Sequence, residues 1–196
     1  MAGPGLTSEA LALIELASIA RGHRVADAML KRAPVSLLRA DWVSPGKFLV
    51  LVDGGVASVE EAYRAGLEVA ADRVVDRLFL PQAHASLWLA LAGDARSGNV
   101  DSLGIVETST VAATLLAADA AAKAAAVRLI ELQLARGIGG KGFFTVSGPL
   151  AEVEAAVEAA VGILEAAQLQ ATEIIAAPHA DLTRKMRAKE PPPHSR

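Results

Sequence analysis

Leu11-Ala12-Leu13-Ile14-Glu15, followed by Ala26-Asp27-Ala28 and Lys31, returns 92 residues later as Leu103-Gly104-Ile105-Val106-Glu107, followed by Ala118-Asp119-Ala120 and Lys123. In the same windows Ala20, Ala33, Val35 and Leu37 meet Ala112, Ala125, Val127 and Leu129 at the same offset. Recurrence at a fixed period marks an internally duplicated chain. The offset grows to 94 past a Gly-rich turn, where Gly46-Lys47 meets Gly140-Lys141 and Val59-Glu60 meets Val153-Glu154. It reaches 95 where His84 and Leu87 meet His179 and Leu182. The halves thus differ by small insertions at loops, where a shared fold tolerates them. Residues 93–101, Gly-Asp-Ala-Arg-Ser-Gly-Asn-Val-Asp, are turn-rich and read as a linker. The expected organisation is an extension over 1–10, units over 11–92 and 102–183, and a disordered tail over 184–196 rich in Lys, Arg and Pro.

Each half reads as the same series of elements. Residues 11–16 form a short apolar run expected as a buried strand, and residues 19–33 carry a helical pattern stopped by Pro34. Val35 to Val43 and Phe48 to Val52 are two strand-like runs joined by Ser44-Pro45-Gly46-Lys47, which has hairpin chemistry. Ser58 followed by Glu61 has capping-box spacing for a helix reaching about Ala71. Val74 to Leu80 then reads as a strand, and a short helix is expected from about Ala83. The order βαββαβ, present twice, predicts an α/β chain of the α+β kind, built as two tandem ferredoxin-like domains.

Composition narrows the function classes. With 53% hydrophobic residues the chain can bury enough surface to fold, while 4% aromatic content and abundant alanine favour close backbone packing over ligand stacking. A net charge of −3, with acids and bases interspersed, provides no footprint for a nucleic-acid backbone. The absence of cysteine removes disulfides and thiolate-held metal, and fits a reducing cytoplasm. No apolar run reaches membrane-span length, so a soluble cytoplasmic protein is expected.

Catalytic and metal motifs are weak. Gly137-Ile138-Gly139-Gly140-Lys141-Gly142 is a literal G-x-G-x-x-G, but Phe143-Phe144-Thr145-Val146 after it reads as a strand, whereas a dinucleotide site needs a helix there. His23, His84, His179 and His194 form no metal-ligand spacing, and His84 and His179 read as helix-start residues at a repeat boundary. Glu15 and Glu107 recur without a nucleophile beside them and read as a structural hydrogen bond or ion pair. No catalytic residue, metal or cofactor is expected.

The repeated residues carry a resemblance. Leu13-Ile14-Glu15, Ala26-Asp27-Ala28 with Lys31, the Gly-rich hairpin, Val50 to Val52 leading to Gly54, and Pro81 to His84 resemble the bacterial microcompartment shell-protein domain. The second half resembles it through Ile105-Val106-Glu107, Ala118-Asp119-Ala120 with Lys123, Phe144 to Val146 leading to Gly148, and Pro178-His179. The Glu-bearing strand comes first and the Pro-His segment last, like the unpermuted, single-layer tandem type.

This resemblance implies a homotrimer closed into a pseudohexagonal disc, tiling with hexameric and pentameric shell proteins, with no nucleic acid or membrane as partner. It places Lys31, Lys123, Gln82, His84 and His179 at the tile edge. Gln82 and Ala177 stand where the family commonly has Arg, so bidentate edge contacts are not available there. It places Ser44, Pro45, Gly46, Lys47, Ile138, Gly139, Gly140 and Lys141 around a central pore for small metabolites. Lys47, Lys141 and Arg136 would make that pore electropositive, with Asp41 cancelling part of the charge. Some tandem relatives hold an iron-sulfur cluster on a pore-loop Cys; Ser44, Pro45 and Ile138 cannot supply a thiolate. The rival expectation is a tandem ferredoxin-like regulatory protein holding a small molecule between its halves.

Overall fold

The computed structural model describes residues 8–93, 100–135 and 137–187. The start of the N-terminal extension, most of the linker, Arg136 and the tail beyond Arg187 lie outside the described residues. The first half runs β1 (Ala10–Leu16), α1 (Ile19–Arg32), β2 (Ser36–Val43), β3 (Lys47–Gly54), α2 (Val56–Ala70), β4 (Val74–Leu80) and α3 (Ala85–Ala92). The second runs β5 (Ser102–Thr108), α4 (Val111–Ala124), β6 (Arg128–Leu134), β7 (Gly142–Gly148), α5 (Leu150–Gly162), β8 (Leu169–Ala176) and α6 (Ala180–Arg187). Each half folds its strands into a four-stranded sheet, in the orders β2-β3-β1-β4 and β6-β7-β5-β8. All pairings are antiparallel, and the register matches across the repeat: Leu13 opposes Leu51 and Leu78, as Ile105 opposes Thr145 and Glu173. This is the ferredoxin-like arrangement expected, formed twice.

Helices α1, α3 and α4 begin at side-chain caps, whereas α2 and α5 do not. Ser18 accepts the Arg21 N–H at 3.3 Å to start α1, and Thr110 accepts the Ala113 N–H at 3.2 Å to start α4. Ser58 does not cap α2, which starts at Val56 with Gly55 in the capping position and no side-chain cap. The chain has already turned at Gly54, whose φ of +153° frees the helix to begin before Ser58. The closing helix α6 also continues to Arg187, past the expected end of the second unit, with an Arg184–Asp181 ion pair on its surface.

Strand β1 is buried on both faces, which explains its uninterrupted apolar run. Ala10, Ala12, Ile14 and Leu16 pack with Val25, Ala26, Met29 and Val59 beneath α1 and α2. Leu11 and Leu13 point the other way, into a core shared with the second half that includes Val111, Leu115, Ala118 and Phe144. Helix α4 therefore lies between two sheets, with Val111, Leu115, Ala118 and Ala122 buried along one side and Thr114, Ala117 and Ala121 along another. Alanine on both sides lets the backbone approach both layers closely. Helix α1, with one buried stripe, is the ordinary amphipathic version of the same element.

The two halves also trade volume. At Gly22 an added Cβ would stand 2.2 Å from the Phe48 ring, and at Gly142, the counterpart of Phe48, one would stand 1.9 Å from the hydroxyl of Thr114, the counterpart of Gly22. Each half thus has one small and one larger residue at this contact, in exchanged places. Gly22→Ala should lower stability by about 1–2 kcal/mol, because overpacking outweighs the roughly 1 kcal/mol gain in helix propensity. At Gly162 an added Cβ meets nothing within 4 Å, so Gly162→Ala should instead raise stability, by about 0.5 kcal/mol. Urea unfolding of both variants checks the opposite signs.

Candidate functional site

Glu15, next to last in β1, lies on the face turned towards the second half and is fully buried. Its Oε1 accepts from Lys47 Nζ at 2.8 Å, and its Oε2 accepts from the Val111 backbone N–H at 3.0 Å. Val111 opens α4, so the carboxylate meets one of the helix's unpaired N–H groups at the positive end of its dipole. One side chain thereby joins β1, β3 and α4. Burial raises the Glu15 pKa above its ordinary value of 4.5; the Lys47 ammonium and the Val111 N–H pull it back without overcoming that effect. The structural ion pair expected at this position is present.

Other polar contacts extend this joint. Thr110 donates its hydroxyl to Asp76 on β4. Arg39 on β2 reaches the Leu134 carbonyl of β6 at 3.0 Å while holding Asp41 through two bonds, at 3.0 and 2.8 Å. Beside Arg39 runs a groove of about 590 Å³ between the halves, bordered by Leu38, Ala90, Ile130 and Leu132.

At the far end of α4, buried Asp119 accepts the His84 N–H at 2.8 Å through Oδ1 and pairs with Lys123 at 2.5 Å through Oδ2. His84 caps α3, its Nδ1 accepting the Ser86 N–H at 3.3 Å. Lys123 and His84, expected at one edge, are thus brought together from different halves. Gln82 is exposed two residues before His84. Lys31 and His179 have no such meeting: Lys31 is exposed and pairs with Asp27 at 2.7 Å, while exposed His179 contacts Asp181.

The two hairpin loops meet. Lys47 Nζ lies 3.4 Å from the Gly140 carbonyl, and a Cβ at Gly140 would stand 2.8 Å from the Ser44 carbonyl. Gly140 has φ +79° and admits this approach because it has no side chain. Ser44, Pro45, Gly46 and Lys47 therefore gather beside Ile138, Gly139, Gly140 and Lys141. The expected electropositive charge requires correction at Lys47, because its ammonium is bound to Glu15. Asp41 pairs with Arg39. The G-x-G-x-x-G leads into strand β7, so it presents no helix N-terminus.

Reading the chain alone missed what Asp119 and Glu15 bind. Recurrence of Asp27 with Asp119 and of Glu15 with Glu107 was the available signal, but the partners, the His84 amide and the Val111 amide, are backbone groups that leave no trace in residue type.

A family model described as BMC domain matches residues 10–83 and again 102–178. The chain is 41% identical to the bacterial microcompartment shell protein PduT of Citrobacter freundii, over 91% of this chain and 98% of that protein. It is similar to the crystal structure of a microcompartment protein from Desulfitobacterium hafniense, with TM-score 0.83 and 42% identity, covering 90% of this chain and 98% of the other. It is less similar to a fused permuted hexameric shell protein from the RMM microcompartment, with TM-score 0.58 and 25% identity over 78% of this chain and 82% of the other.

A carboxyl whose pKa is raised in the folded state adds stability below its unfolded value of 4.5 and loses that contribution as pH rises through the folded value. Measured against Glu15→Gln, wild-type stability should therefore fall as pH rises above 4.5. Urea unfolding across that range checks the sign, and a constant difference between the two proteins would contradict it.

Proposed function

The chain belongs to the BMC domain family, and on that premise we propose that it is a structural tile of a bacterial microcompartment shell whose working unit is a homotrimer. The observation that carries this reading is a contrast in burial between equivalent surfaces. The sheet of the first half has its outer face covered by α4, whereas the matching face of the second sheet leaves Glu107 and Glu173 exposed. Along α4, Val111 and Leu115 are 0% exposed; at the equivalent places on α1, Ile19 is 41% exposed and His23 is exposed. Leu30, opposite Ala122 in the repeat, is 42% exposed. Trp42 is 68% exposed where its counterpart Leu134 is 6%. Each chain thus holds one closed joint and the two separate halves of a second. Joining them head to tail in a ring satisfies every copy when the rotation closes, and two units per chain make a three-chain ring a pseudohexamer.

Transposing the closed joint assigns the contacts. Glu107 takes the role of Glu15, accepting the Ile19 N–H of the next copy and pairing with Lys141. Asp27 takes the role of Asp119, accepting the next copy's His179 N–H and holding Lys31 at the edge. Lys31, Lys123, Gln82, His84 and His179 then form the rim that meets neighbouring hexameric and pentameric tiles. The hairpin loops line a central opening for small metabolites. With both lysines paired, the opening is walled by loop backbone rather than by free ammonium groups. In this reading the protein is not an enzyme and resides in the shell inside the cytoplasm.

Sedimentation of the wild type should give a three-chain particle, with Trp42 emission blue-shifted on assembly. Glu107→Ala removes a charge-assisted hydrogen bond of about 1.5–3 kcal/mol per joint, so dissociation should rise by about ten- to hundredfold per joint. A wild type that stays monomeric at every concentration defeats the reading. Lys31→Ala with Lys123→Ala should leave the particle intact while abolishing extended sheets in electron micrographs.

A further inference from the structure

The closed joint and the open one differ at one pair of positions in its centre. Thr110 bonds Asp76 at the start of α4, and Asp119 bonds the His84 amide near its end, so the helix runs along β4 towards α3. Leu115, midway between those contacts, is thereby placed over the middle of the strand, where Leu78 faces the same core. Both are buried, at 0% and 7% exposure. The repeat converts Leu115 to His23. The strand register, Leu13 opposite Leu78 and Ile105 opposite Glu173, converts Leu78 to Glu173. Both apolar members are replaced, and the replacements are a nitrogen donor and a carboxylate.

We infer that His23 of one copy and Glu173 of the next form a buried polar pair at the centre of the joint between chains, in the place that two leucines occupy within the chain. This inference rests on the trimer reading and adds to it the pair that selects the partner. The His23 ring packs on Phe48, with centroids 4.7 Å apart, which steadies it on the outward side of α1. The difference between the joints has a physical cause. Leu115 and Leu78 are tethered in one chain and are covered as soon as it folds. Leucines at residues 23 and 173 would stand exposed on every free chain as an adhesive patch. A polar pair keeps the free chain's surface polar, yet rejects any partner that leaves Glu173 buried alone, because an unpaired buried carboxylate is costly. The occupant of this face is accordingly a second copy of this chain.

The test is a double-substitution cycle on the full chain, read as the concentration at which the particle dissociates in sedimentation experiments. Because both side chains are exposed in the single chain, the variants should keep wild-type circular dichroism as monomers. His23→Leu and Glu173→Leu should each raise the dissociation concentration about tenfold or more, since each leaves its partner unpaired. The double variant, which copies the leucine pair of the closed joint, should return to within about threefold of wild type. Single changes with less than about threefold effect, or a double effect equal to the product of the singles, would overturn the inference while leaving the trimer standing. A wild type that never trimerises would remove both.

Discussion

Glu15 is buried in an otherwise apolar layer, and a carboxylate there is tolerable only if its oxygens are engaged. One oxygen binds Lys47 and the other binds the first N–H of α4, so the side chain keeps the hairpin and the second half at a set distance from β1. Removing either partner would leave a buried carboxylate oxygen unpaired. The double burial of β1, the position of α4 between two sheets and the meeting of the hairpin loops all depend on this arrangement.

Duplication makes the arrangement consequential. A chain with one unit covering the next can close only one of its two equivalent joints, because the last sheet face and the first helix lie at opposite ends of the series. The side chains record this. Helix α4 is apolar almost all round, as a helix with layers on both sides must be, while α1 has one buried stripe and an outer side bearing Ile19, His23, Asp27 and Leu30. Membership of the BMC domain family and the likeness to PduT agree with a structural shell role.

Much of the fold was legible because its strongest signals are local or periodic. The repeat of Leu11 to Leu37 at Leu103 to Leu129, the proline after α1 and the Ser44–Lys47 turn each mark an element through residue type. The capping reading at Ser58 failed because a Gly54–Gly55 turn started the helix earlier, and backbone freedom competes with side-chain capping without changing the hydrophobic pattern. Lys47 lies in the hairpin region where it was expected, but its ammonium is held by Glu15. Its partner lies 32 positions away, and such a pairing exists only once β1 and β3 are neighbours.

The sequence by itself determined that two equivalent βαββαβ units exist, where their loops fall, and which residues recur in both. Those properties follow from periodicity and turn chemistry, which act over a few residues. Only the tertiary structure decided that the two units are unequal in their surroundings, so that Glu15 is enclosed while Glu107 is open, and Leu115 is covered while His23 is not. Burial depends on what packs against a residue from distant parts of the chain, and identical residues at equivalent repeat positions receive different neighbours when one joint is internal and the other is not.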